Sequence, residues 1–289
     1  MIALKSIERM PKSVKVLWED GAAAQFSYLW LQDNTLRRPA LIHIDLDAKP
    51  ERLDCKQNCL GVTWPRRSEA RFSSSFLRKH SLIKEDLLST IKKSLPEYEP
   101  VESAYCPKIL NEKGCLVTAT ALAPKIVPMG SIIWSGSQVQ PGTIWPHFQQ
   151  IPSLVSAQTM TNTAATLNLV DMLHVLALFE KNYPTSFDVL SNLYMEYGDA
   201  PFPFSAHHKM INIKNGKIIS AIFNNYQRIS DIPMQEEFYS ALKNFGIVCS
   251  QVMKRVTIYP GQTLFIDNQT TLLGAPAECD RILKVCTYS

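Results

Sequence analysis

Six histidines, seven cysteines and 26 carboxylates are the side chains in this 289-residue chain that could hold a metal or move a proton. Spacing narrows the field. His43 and Asp45 stand two apart in the alternating run Leu41-Ile42-His43-Ile44-Asp45-Leu46-Asp47. On a strand that spacing puts both side chains on one face, as two corners of a two-His-one-carboxylate iron site. No third ligand stands at a natural spacing, so the pair reads better as the solvated polar side of a strand. Cys55 and Cys59, with His43, make a set of zinc-binding types; two free thiols near a turn are the commoner arrangement. His147-x-Gln149 lacks a carboxylate. His207 and His208 are neighbours, and on a strand neighbours point to opposite faces. His174 sits on an apolar helix face, the usual setting of a semi-buried histidine. Trp134, Trp145 and Phe148 fall in a Pro-rich stretch, where they either cage a quaternary ammonium by cation–π attraction or pack back onto the core.

The elements that must position these groups are mainly strands. Val14–Trp18, the turn Glu19-Asp20-Gly21 and Ala24–Leu31 read as a hairpin. Leu41–Asp47 reads as a further strand, and Gly61–Trp64 with Ala70–Phe72 as a second strand-turn-strand pair. Apolar spacing predicts a helix over Ile83–Leu95, stopped by Pro96. Gly114–Thr118 and Ser131–Trp134 read as strands in irregular surroundings. From Thr166 a strand runs into a helix capped by Asp171, and a short helix follows Pro184. His208–Ile213, Gly216–Phe223 and Arg255–Phe265 are strand patterns. Gln235–Phe245 is an amphipathic helix with Gly246 at its end, where glycine is favoured. Gly261–Gly274 reads as a turn, a buried strand and an Asp-Asn corner.

Composition sets outer bounds. The chain is 46% hydrophobic and 19% charged, ordinary for a globular protein with a sizeable core. Its net charge of +4 comes from scattered Lys and Arg, with no basic stripe of the kind that tracks nucleic acid. No stretch reaches the 18 or so apolar residues needed to span a bilayer. Seven cysteines without framework spacing imply a reduced compartment. The expectation is a cytoplasmic protein, with a mitochondrial location as the alternative.

Several short motifs together resemble the γ-butyrobetaine and trimethyllysine hydroxylases, TauD/TfdA-like iron(II)/2-oxoglutarate oxygenases. In the first domain Trp18-x-Asp20-Gly21, then Trp30-Leu31-x-Asp33-Asn34, is similar to that family's W-x-D-G and W-L-R-D-N. Further on, Leu167–Asp171, Tyr183-Pro184-x-x-Phe187-x-x-Leu190, Phe223-Asn224-Asn225 and Phe238-Tyr239-x-Ala241-Leu242 stand at matching separations. The C-terminal run Phe265-Ile266-Asp267-Asn268 through Gly274, followed by Arg281, resembles the segment that carries the family's distal iron ligand.

The resemblance implies a mainly β fold with flanking helices: a small N-terminal β domain over residues 1–80, then a reduced double-stranded β-helix (jelly-roll) domain over 81–289. It also implies Fe(II), 2-oxoglutarate and a structural zinc, and the residues present depart from all three sets. The iron triad positions fall on Gln140, Gly142 and Leu273, none of which is an iron ligand. The zinc positions fall on Thr35, Arg37, Ala40 and Ser68, none of which offers thiolate or imidazole. Arg281 matches the arginine that pairs with 2-oxoglutarate, and Asn225 is a second remnant of that site. The expectation is a pseudo-oxygenase that needs no cofactor and acts by binding a protein or a small molecule. The family's frequent homodimers make self-association part of that expectation; nucleic acid and membrane are not. Two alternatives stand. One is an active hydroxylase of carnitine biosynthesis with ligands recruited from His147 and His174 or His207. The other is a binding module for 2-oxoglutarate or a quaternary ammonium, using Arg281 and an aromatic wall.

Overall fold

The computed structural model describes residues 2–35, 38–56, 58–65, 69–81, 128–134, 151–198, 205–229, 236–274 and 283–288. The expected helix at 83–95, the strand at 114–118, and Gln140, Gly142, Trp145, His147, Phe148 and Arg281 lie outside these residues. The chain forms two compact units: Met1–Pro96 with Ser230–Lys243, and Glu97–Ile229 with Asn244–Ser289.

In the first unit, strands β1 (Leu4–Arg9), β2 (Ser13–Trp18) and β3 (Ala23–Ser27) form an antiparallel meander. Gly21, at φ 83°, makes the expected turn, a left-handed conformation that glycine adopts without a Cβ penalty. β3 ends earlier than its alternation predicts. The Ser27 hydroxyl accepts the Trp30 N–H and starts helix α1 (Tyr28–Asp33), in which every residue is buried. Strands β4 (Arg52–Lys56), β5 (Cys59–Thr63) and β6 (Ala70–Ser73) form a second antiparallel sheet, followed by helix α2 (Ser74–Ser81). Val14, Val16, Trp18, Trp30, Leu60 and Val62 belong to one core that both sheets and α1 share.

The run 41–47 is not a strand. Leu41–His43 is a 3₁₀ turn, and the Asp45 carboxylate accepts the Asp47 N–H in a further turn. Its buried residues are Leu41, Ile44 and Ala48, a helix-like spacing hidden within an apparent period of two. His43 and Asp45 are both exposed and stand on turns, so no strand places them on one face.

In the second unit, strand β7 (Pro128–Trp134) pairs with β18 (Leu283–Tyr288) in a four-stranded antiparallel sheet. Its other members are β8 (Leu154–Thr159) and β16 (Thr263–Asp267), in the order β16-β8-β18-β7. A three-stranded antiparallel sheet holds β15 (Lys254–Ile258), β9 (Ala165–Asp171) and β17 (Thr271–Gly274), in that order. From β15 to β18 the chain alternates between the sheets, and one apolar core takes alternate residues from both. The fold is mainly β with flanking helices, a jelly roll with seven strands in these two sheets among the described residues.

The described residues of the unit also form two smaller sheets: β10 (Tyr194–Gly198) between β11 (Ser205–Lys209) and β14 (Arg228–Ile229), and the hairpin β12 (Ile211–Lys214) with β13 (Lys217–Ala221). Helices α3 (Met172–Asn182) and α4 (Pro184–Asn192) follow β9. Asp171 caps α3 as expected, its carboxylate accepting the His174 N–H at 3.1 Å. Helix α5 (Glu236–Val252) runs past Gly246 instead of ending there. Val248 and Cys249 stay buried three and four positions beyond Phe245, so the apolar stripe continues and outweighs the cost of glycine in a helix. The apolar run 255–265 is split into β15 and β16 at Gly261, which has φ 83°.

Candidate functional site

β9 and β17 form the wall on which the family resemblance places its distal metal ligand. Leu273 lies opposite Leu169 in the antiparallel register, and Leu167 and Leu169 point with it into the space between the two sheets. Across that space stand Val155, Ala157, Leu264, Ile266, Leu283 and Val285, all in the same cluster. Leu273 is 1% exposed. Leu273 thus lies in an aliphatic cluster, at the position where the resemblance implies a lone-pair donor.

A ferrous ion needs several N or O ligands with open positions for co-substrate and oxygen. Leu273 supplies none, and its neighbours on β8, β9, β16 and β18 in the cluster are hydrocarbon. Gln140 and Gly142, the other two matched positions, lie outside the described residues; glycine has no coordinating side chain. Among the described residues no group of three or more His, Cys, Asp or Glu side chains is placed to hold a metal ion. These residues do not fit the family's iron.

The described histidines of the recruited-ligand alternative, His174 and His207, are not gathered into a group of three or more metal-binding side chains. His174 is exposed on the first turn of α3. His207 faces Glu196 across the β10–β11 pair, 3.9 Å from its carboxylate. His208, on the opposite face as expected, is buried with its ring 6.3 Å from that of Tyr197. The cysteines are similarly separated. Cys55 pairs with Leu60, so Cys59, next to Leu60, points from the other face of the β4–β5 hairpin. Burial, then Asp54 and Cys59, push the Cys55 thiol above its ordinary range, away from the thiolate a metal would need.

Asn225 is buried in a polar cluster at the end of β14. Its side-chain oxygen accepts from Arg228 Nη2 at 3.1 Å. The neighbouring Asn224 turns the backbone by accepting the Tyr226 and Gln227 N–H groups, while its own carbonyl accepts the Arg228 N–H. Arg228 is 2% exposed and lies opposite Tyr197, whose hydroxyl donates to the Ile222 carbonyl at 3.0 Å. Burial pushes the Tyr197 phenol well above its ordinary range, with the Arg228 charge opposing. Sequence reasoning found Asn225 but missed Arg228. The available signal was the Asn-Asn-x-x-Arg spacing, which a side-chain-capped turn closes on itself.

The fold sets the class first: a mainly β, jelly-roll protein with flanking helices. No protein-family model matches the chain. It is 21% identical over 333 residues to the gamma-butyrobetaine dioxygenases of Pongo abelii and Homo sapiens, covering 90% of this chain and 86% of each relative. That span exceeds the 289 residues of the chain, so the relatives carry segments with no counterpart here. Solved structures that resemble it include an asparagine oxygenase in complex with Fe(II), 2S,3S-3-hydroxyasparagine and succinate. There the TM-score is 0.39 at 15% identity, over 52% of this chain and 49% of that one. A putative α-ketoglutarate-dependent taurine dioxygenase from Burkholderia xenovorans matches with a TM-score of 0.39 at 14% identity, over 54% of this chain and 63% of that one. The chain thus spans less than two thirds of either solved structure. The motif-level resemblance is borne out: along 90% of its length the chain is similar to the gamma-butyrobetaine dioxygenases.

Proposed function

We propose that this chain is a pseudo-oxygenase, a hydroxylase-type scaffold that has lost its ferrous site and acts by binding a protein or a small molecule. The observation that supports it is Leu273, 1% exposed within an aliphatic cluster, at the position that the motif match gives to a metal ligand. Activating oxygen in this class depends on a redox metal, and a hydrocarbon side chain contributes no affinity for one. A homodimeric state and a cytoplasmic location belong to the same reading.

Thermal-shift measurements on the purified chain with 2-oxoglutarate, γ-butyrobetaine and carnitine test it, with and without ferrous ion. A ligand bound only by the folded state raises stability by about 2.7 kcal/mol at 100 times its Kd. The expected result is no iron-dependent shift with any of the three. A shift with 2-oxoglutarate or a quaternary ammonium that ignores iron would favour the binding-module reading, with Arg281 as the first residue to replace. A shift that requires iron would overturn the proposal.

A further inference from the structure

We infer that the first unit is fastened by a metal-independent polar clamp centred on Asp33, in the segment where the family resemblance implies zinc. Thr35 and Ala40 stand at two of the four ligand positions, and neither is free to become a ligand by a small shift. The Thr35 hydroxyl donates to the Gln32 carbonyl at 2.9 Å, and Ala40 opens the 3₁₀ turn with a bare methyl group. Arg37 and Ser68, at the other two positions, lie outside the described residues and are not zinc-binding types. Cys55 and Cys59 cannot stand in, because they leave opposite faces of their hairpin.

In place of a metal, the Asp33 carboxylate collects donors from two directions. Arg38 Nε lies 3.2 Å from Oδ1 and donates to the Asp33 carbonyl at 3.0 Å. Tyr239 donates its hydroxyl to Oδ2 at 3.4 Å across 206 residues of sequence. The Asp33 side chain is 5% exposed and Tyr239 1% exposed. Water therefore weakens these contacts little. The clamp ties the end of α1, the segment after it and the first turns of α5, all within the unit that contains Ser230–Lys243. Holding elements remote in sequence is what a structural metal does in small units; here a carboxylate, a guanidinium and a phenol do it.

The test combines zinc analysis of the full chain, thermal unfolding with and without 1,10-phenanthroline, and hydrogen exchange at the α1 amides in Asp33→Asn and Tyr239→Phe. The expected results are substoichiometric zinc and a midpoint unmoved by chelator. Asp33→Asn, which removes the charge from a buried pair, should lower the midpoint by on the order of 10 °C and speed α1 exchange. Should that variant fail to fold, Tyr239→Phe, which loses one hydroxyl, carries the test through faster α1 exchange. One zinc per chain whose removal lowers the midpoint, or unchanged α1 exchange in Tyr239→Phe, would overturn the inference. Neither outcome bears on the barrel of the second unit, so the pseudo-oxygenase reading stands or falls separately.

Discussion

Leu273→Ala should destabilise the second unit by roughly 3–4 kcal/mol, the cost of deleting a buried isobutyl group and leaving a cavity. The side chain packs against both sheets, so neither wall can close the gap without shifting a strand. Denaturant unfolding of the variant measures the loss. A side chain lining a hydrated metal cup would behave differently, since truncating it costs little when water already fills the site; a loss below about 0.5 kcal/mol would favour that picture. Leu273→His is the sharper companion. It places an imidazole among hydrocarbon neighbours, and it should lower stability without conferring iron binding. One restored ligand does not rebuild a triad whose other matched positions hold glutamine and glycine.

Trp30→Ala should cost the first unit about 3–5 kcal/mol, near the upper end for core truncations. Trp30 is 2% exposed, with ring centroids of Phe26, His80 and Phe76 at 5.2, 5.3 and 5.7 Å. Aromatic pairs of this kind add to the plain burial of area. Trp30→Phe keeps part of the cluster and should recover a large share of the loss. Equal stability of Trp30→Ala and the parent would show that this cluster contributes nothing. The residue belongs to the Trp-Leu-x-Asp-Asn string that carried the family resemblance. Both motif residues are buried in the first unit: Trp30 packs in its core, and the Asp33 carboxylate meets Arg38 and Tyr239.

The parts of this fold legible in the sequence were those whose signals are local. Gly21 marked the β2–β3 turn because its backbone needs positive φ, and Asp171 marked the start of α3 because a carboxylate caps the free N–H groups there. Where two periods overlap, the sequence misleads. Ile42, Ile44 and Leu46 mimic a strand, yet burial falls on Leu41, Ile44 and Ala48. Tyr28 to Asp33 looks like the continuation of β3, and only the Ser27 cap, supported by packing on all sides, turns it into a helix. Gly246 looked like a stop because local propensity favours one; burial of Val248 and Cys249 decided otherwise.

At the candidate site, the chemistry of Leu273 could be read from its letter, but its place in the core could not. That depends on the pairing of β17 with β9, which joins segments about a hundred residues apart. Arg228 was illegible for the same reason: a charged residue reads as surface until β10 and its turn enclose it.

The most direct measurement is anaerobic reconstitution of the purified chain with ferrous ion and 2-oxoglutarate, followed by desalting, iron analysis and assay of succinate on exposure to air. The expected result is no stoichiometric iron retained and no succinate above the protein-free rate. One iron per chain, with succinate formation that a chelator abolishes, would contradict the proposal that this barrel has become a hydrocarbon core with no oxygen chemistry of its own.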